Sequence, residues 1–254
     1  MFGFGKPKLP ITMEQKEWVD RSFVRLAGLL GANRLTEAEV VLPTEEYFPD
    51  PYDRSEEALR LIFRRVALWM EVEPTEVELT LFASTEETTR ELVPFGSSKS
   101  SGAGGLYVHD PAVRAQISVN QSQMKDPMIL VGTLAHELGH VILLRPGLVG
   151  RDEPDMEPLN DLLTVFLRFG IFSANSAFRF EQFTNNQSQG WSTQRLGYLS
   201  EELFGYALAR FAFERGEAKP EWRSFLSTNI AVYMKRSMDW LEAEGAQRLL
   251  QGGL

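Results

Sequence analysis

Two of the three histidines in this chain stand four residues apart around a glutamate, in Thr133-Leu134-Ala135-His136-Glu137-Leu138-Gly139-His140. On a helix that spacing is one turn, so His136 and His140 leave the same face and can share one metal ion, with Glu137 beside them as a base. The chemistry this predicts is zinc-dependent hydrolysis. With 3 His in 254 residues, an accidental H-E-x-x-H is expected in on the order of one such chain in several hundred.

The surroundings agree with a helix. Asp126 supplies an N-cap acceptor and Pro127 suits the first helical position, and no breaker follows until Arg145-Pro146-Gly147. From Met128 to Leu144 the run is apolar almost all the way round, the pattern of a helix buried inside the fold. Two imidazoles and a carboxylate in such a helix need partners, and a bound cation provides them. Gly139 costs roughly 1 kcal/mol of helix propensity relative to Ala. Close approach of another backbone or a ligand, or tight helix packing alone, accounts for it equally well.

A catalytic zinc takes three protein ligands and leaves one position for water. Downstream, Asp155-Met156-Glu157-Pro158-Leu159-Asn160-Asp161 opens a second apolar helical run, Leu159 to Phe172, and offers Glu157 and Asp161 one turn apart. Glu157 lies 17 residues after His140.

This arrangement resembles the gluzincin-like zinc metallopeptidases, in which H-E-x-x-H is followed, after a loop, by E-x-x-x-D on a second helix. The resemblance covers residues 127 to 170. It implies His136, His140 and Glu157 as zinc ligands, Glu137 as the general base, and Asp161 as the acceptor that orients a ligand histidine. Pro158 is a departure, because it biases Glu157 away from the helical region. With Asp155 as the cap, Pro158 falls in the first turn, where its missing N–H does no damage; otherwise Asp161 takes the ligand position. Glu153, Asp155 and His109 are the remaining candidates, alongside a purely structural cap cluster.

The mechanism follows from the residue types. Zinc brings the pKa of bound water toward ~7, and a carboxylate one helical step from the ligands takes the proton and returns it to the leaving amine. Ligation needs neutral imidazole, so zinc occupancy is expected to fall below the histidine range near ~6.5. Candidate oxyanion donors are Arg195, Tyr198 and Tyr206, each also readable as a packing residue or a solvated charge. His109 reads as a surface-loop histidine or as part of the cleft wall.

Composition sets the bounds. The chain is 43% hydrophobic and 24% charged, the balance of a globular protein. A net charge of −9 disfavours nucleic acid or an anionic membrane surface as partner; the resemblance implies a peptide or protein substrate, and the sequence does not specify an oligomeric state. With no Cys, thiolate ligands, disulfides and a cysteine nucleophile are excluded. Met1 to Lys8 is too short and interrupted for a signal peptide, and no segment holds 18 uninterrupted apolar residues, so the expected location is the cytoplasm.

The elements that must position the motif read as α+β, zincin-like by resemblance, with a small mixed sheet packed on a buried motif helix and a mostly helical C-terminal half. Met13 to Leu30 is a helix ended by Gly31-Ala32-Asn33; Ala38 to Pro43 and Glu76 to Phe82 are short strands; Ser55 to Met70 is an amphipathic helix. This N-terminal part, 1–83, is followed by a Ser/Thr/Glu/Gly-rich loop or linker, 84–105, and a catalytic part, 106–254, the whole also readable as one continuous domain. Leu106 to His109 and Ala115 to Asn120 are strands. By resemblance, Gln116 to Gln121 is an edge strand that holds extended substrate by backbone pairing; a structural hairpin arm is the plainer reading. Polar Thr184 to Thr193 and Lys219-Pro220 break the helical remainder. Besides a zinc peptidase, two readings stay open: a zincin-fold binding or regulatory protein with a structural zinc, and a helical interaction protein carrying the motif by accident.

Overall fold

The computed structural model describes residues 7–83, 105–108, 114–145, 148–150, 152–185 and 199–251. Helix α1, Met13–Leu30, starts at a capping box in which Thr12 and Gln15 satisfy each other's backbone, and ends at Gly31 with φ 94°. It buries Val19, Phe23 and Leu26 along one stripe. A short helix α2, Asn33–Thr36, follows. The segment 38–43, expected to be a strand, is irregular. Val41 is fully buried, but its N–H bonds the Arg168 carbonyl at 3.3 Å and no strand of the described residues lies beside it. A buried apolar run without a ladder partner does not make a strand.

Helix α3, Glu56–Trp69, is capped by the Ser55 hydroxyl and buries Leu59, Ile62, Phe63 and Val66 at helical spacing. The sheet comprises β1, Val77–Phe82, β2, Gly105–Val108, and β3, Ala115–Asn120. β3 lies between the other two, parallel to β1 (Val77 opposite Ala115) and antiparallel to β2 (Gly105 opposite Val119), a small mixed sheet. Because β3 is paired on both sides, it is not the open edge that the substrate-strand reading of Gln116 to Gln121 requires. Gln121 itself begins a 3-10 turn. Ile117, Ser118 and Val119 are all buried, as expected for a strand covered on both faces.

Helix α4, Pro127–Leu143, carries the histidine motif. The Asp126 carboxylate caps it by accepting from the Met128 N–H at 3.0 Å, and every residue from Ile129 to Leu143 is buried. Helix α5, Met156–Phe166, crosses it, and α6, Gly170–Asn185, packs on it. The expected single run Leu159 to Phe172 is therefore two helices. At the corner Arg168 adopts φ 76°, while the Phe169 N–H bonds the Thr164 carbonyl and the Arg168 N–H bonds the Val165 carbonyl. Those two bonds are the Schellman ending of a helix. Helices α7, Glu201–Glu214, and α8, Thr228–Gln251, complete the C-terminal half, crossing closely at Gly205. The break around Lys219-Pro220 falls where expected. One cluster of buried side chains runs from Val19 on α1 to Leu241 on α8. Among the described residues, no helix is long and apolar enough to cross a membrane.

Candidate metal centre

One turn of α4 separates the two imidazoles, whose ring centroids are 5.0 Å apart with planes at 83°. The third side chain comes from α5. An oxygen of the Glu157 carboxylate, Oε2, lies 3.2 Å from His136 Nε2 and 3.5 Å from His140 Nε2. Ligand atoms of His136, His140 and Glu157 all lie within 4.8 Å of one another. Two donors each about 2.1 Å from a tetrahedral zinc ion are themselves about 3.4 Å apart. The three side chains thus already stand at ligand spacing, and they are close enough to bind a metal ion.

Local sequence explains how Glu157 arrives. Asp155 occupies the N-cap of α5, which places Glu157 and Pro158 second and third in the helix. Proline is tolerated there because first-turn N–H groups have no intrahelical acceptor. Asp161, one turn further on, stands on the opposite side of the ring: its Oδ1 is 2.9 Å from His136 Nδ1, and its Oδ2 accepts the Leu199 N–H at 2.8 Å. Of the two carboxylates left open by the sequence, Glu157 therefore faces the nitrogens that share a ligand position, and Asp161 holds the outer nitrogen of one ring. Glu153 is paired with Arg25 at 2.6 Å and Asp155 accepts from Trp18 Nε1 at 3.0 Å, so neither joins the cluster.

Electrostatics reflect this crowding. Burial alone would lower the pKa of His136, but hydrogen bonds and charge from Asp161 and Glu157 outweigh it and hold the imidazole well above its ordinary 6.5. For Glu157, burial pushes upward, and the two histidines overcome it and hold the carboxyl far below its usual range. Glu137 is 3% exposed; burial raises its pKa, His136 and His140 oppose the rise, and Glu157 adds to it. A carboxyl beside the cluster with a raised pKa is a better proton acceptor than an exposed one.

Of the other expected residues, Tyr206 is fully buried and its hydroxyl donates to Asp20 on α1 at 2.9 Å. Its donor proton is committed to an interhelical contact, and burial first, then Asp20, raises its pKa. Arg195, Tyr198 and His109 lie outside the described residues.

Asn160 was not singled out by the sequence. Its Nδ2 donates to the His136 carbonyl at 2.8 Å, and its Oδ1 would lie 2.1 Å from a Cβ at position 139. The glycine inside the motif was the available signal: it admits a side chain of α5, so helix packing is the reason for Gly139. Comparison with protein-family profiles, curated proteins and solved structures finds no match.

Proposed function

We propose that the chain is a zinc-dependent hydrolase of peptide or other amide bonds, similar in its site to the gluzincins. The observation that carries this reading is the Glu157 carboxylate beside both Nε2 atoms, delivered by a second helix onto H-E-x-x-H. Two imidazoles and one carboxylate are a donor set for zinc that leaves a coordination position open. Zinc held there supplies Lewis acidity, making a water acidic near neutral pH and polarising a carbonyl.

The chain's own residues do the rest. Glu137 takes the proton of the attacking water and passes it to the departing amine. His136 is held in one ring orientation by Asp161 at its outer nitrogen, which also makes the ring a stronger donor. The buried α4 keeps bulk water from the base.

Purified protein is expected to hold zinc near one per chain and to cleave members of a peptide library. Glu137→Gln is expected to keep metal and fold while losing activity at least about hundredfold, whereas Glu157→Ala loses metal more severely than Asp161→Ala. No uptake of zinc would refute the metal site. Zinc uptake without hydrolysis, or equal cleavage by Glu137→Gln, would refute the enzyme and favour the structural-zinc alternative, for which the near-complete burial of both histidines speaks.

A further inference from the structure

Three side chains converge on the proposed zinc, but they are not equally well fixed. His136 and His140 occupy the last two turns of a helix whose every residue from Ile129 to Leu143 is buried, His140 included. Glu157 belongs to the first turn of α5, a position where helices fray, and its own side chain is partly exposed. A ligand must be held within about 0.5 Å of its productive place. Something outside the α4–α5 contact has to hold that turn.

We infer that helix α1 is the device that positions the third ligand, through Trp18 acting on Asp155. This inference rests on the metal site proposed above. At an N-cap, an aspartate normally accepts from the N–H groups of the first turn. Asp155 has the N-cap position but makes no such bond. Its Oδ2 instead accepts the Trp18 indole N–H at 3.0 Å, across 137 residues of sequence. The backbone there is not that of a relaxed cap either, with φ −105° and ψ 28°.

Other contacts tie the same two partners together. Arg25, two turns along α1, pairs with Glu153 at 2.6 Å, and successive turns link Glu153 N–H to the Gly150 carbonyl and Met156 N–H to the Glu153 carbonyl. Phe23 meets Phe166 at the far end of α5, ring centroids 6.3 Å apart. Helix α1 is therefore bonded to the stretch immediately before Glu157 and packed against the helix that carries it. Arg25 and Glu153 are partly exposed and add little alone; the indole–carboxylate bond is the more sheltered contact. Trp18 is a positioning residue, since it reaches the metal only through the backbone between Asp155 and Glu157.

The test measures metal binding and not turnover. Full-length protein stripped with a chelator is titrated with zinc against a chromophoric competitor, and with cobalt to read the visible ligand-field bands. Trp18→Phe is expected to weaken zinc binding about tenfold, the lower end of effects from groups that orient a ligand, and to alter the cobalt bands. Trp222→Phe removes the same kind of bond, an indole N–H to Glu217 at 2.7 Å, at a place remote in sequence from the cluster, and is expected to keep wild-type affinity and bands. Asp155→Asn retains an oxygen for the indole and is expected to bind like wild type, while Asp155→Ala falls with Trp18→Phe. Unchanged affinity in Trp18→Phe overturns the inference. If that variant does not fold, equal affinities of Asp155→Ala and Asp155→Asn overturn it. A wild-type chain that takes up no zinc removes the metal site together with this inference; normal zinc uptake indifferent to Trp18 and Asp155 removes this inference alone.

Discussion

Gly139 and Asn160 show how the histidine-bearing helix and its neighbour are held at one distance. A methyl group at position 139 would fall 2.1 Å from Asn160 Oδ1, far inside contact distance, on a side chain whose other end donates to the His136 carbonyl. Gly139→Ala therefore sets a helix-propensity gain of roughly 1 kcal/mol against overpacking of about 1–3 kcal/mol, and the clash falls on the side chain that holds the His136 carbonyl. The expected outcome is lower stability in urea and weaker zinc binding together. Adding Asn160→Ala should return part of the stability, because the clashing atom is gone. Stability equal to or above wild type in the single variant would mean that the two helices slide apart freely. Among the described residues Asn160 Oδ1 has no hydrogen-bond partner, so its contact with Gly139 is steric, and the Nδ2 bond to the His136 carbonyl orients the amide.

Helix endings decide which elements the sequence discloses. The site helix was legible because its start has Asp-Pro chemistry and its buried run has no interruption; α1 was legible because Gly31 stops it with φ 94°. The corner between α5 and α6 was not, because the residue in the left-handed conformation there is Arg168, where glycine is the usual choice. Glu71 at the end of α3 does the same, with φ 59°. The Arg168 side chain does what a glycine could not: it donates to the Trp69 carbonyl at 2.9 Å, joining this corner to α3. Trp18 escaped notice for a different reason, since nothing local relates it to Asp155. The histidine pair was legible because a spacing of four puts both rings on one face, and the same spacing marked Glu157 and Asp161 without saying which of the two meets the rings. A test at this scale compares two variants of Arg168. Both lose the guanidinium, but Arg168→Gly relieves the left-handed strain that Arg168→Ala keeps, so the glycine variant is expected to be the more stable by about 1 kcal/mol. Denaturant midpoints at unchanged slope would show it. In a mid-helix position the order would be reversed.

Across the whole molecule, the cluster links stability to pH and to metal. In metal-free protein the folded-state pKa of His136 is raised above 6.5, so its contribution is complete below that value and is lost as pH climbs through the higher folded value. Glu157 has the opposite sign: its folded pKa is depressed below 4.5, so its contribution is present above that value and is lost as pH falls through the lower one. Both contributions are complete together only between about 4.5 and 6.5. Metal-free protein is therefore expected to lose melting temperature as pH rises from about 6 to about 9, and His136→Gln should flatten that decline. Zinc reverses the trend, because it binds the neutral ring and competes with the proton. Stabilisation at fixed excess zinc, which grows as RT ln(1 + [L]/Kd), should thus be larger at pH 8 than at pH 6. Calorimetric scans with chelator and with zinc, at both pH values, measure the two slopes. If metal-free protein keeps its melting temperature across the range, or if His136→Gln declines as steeply as wild type, then the pairing of His136 with Asp161 and Glu157 is not what holds α4 against α5.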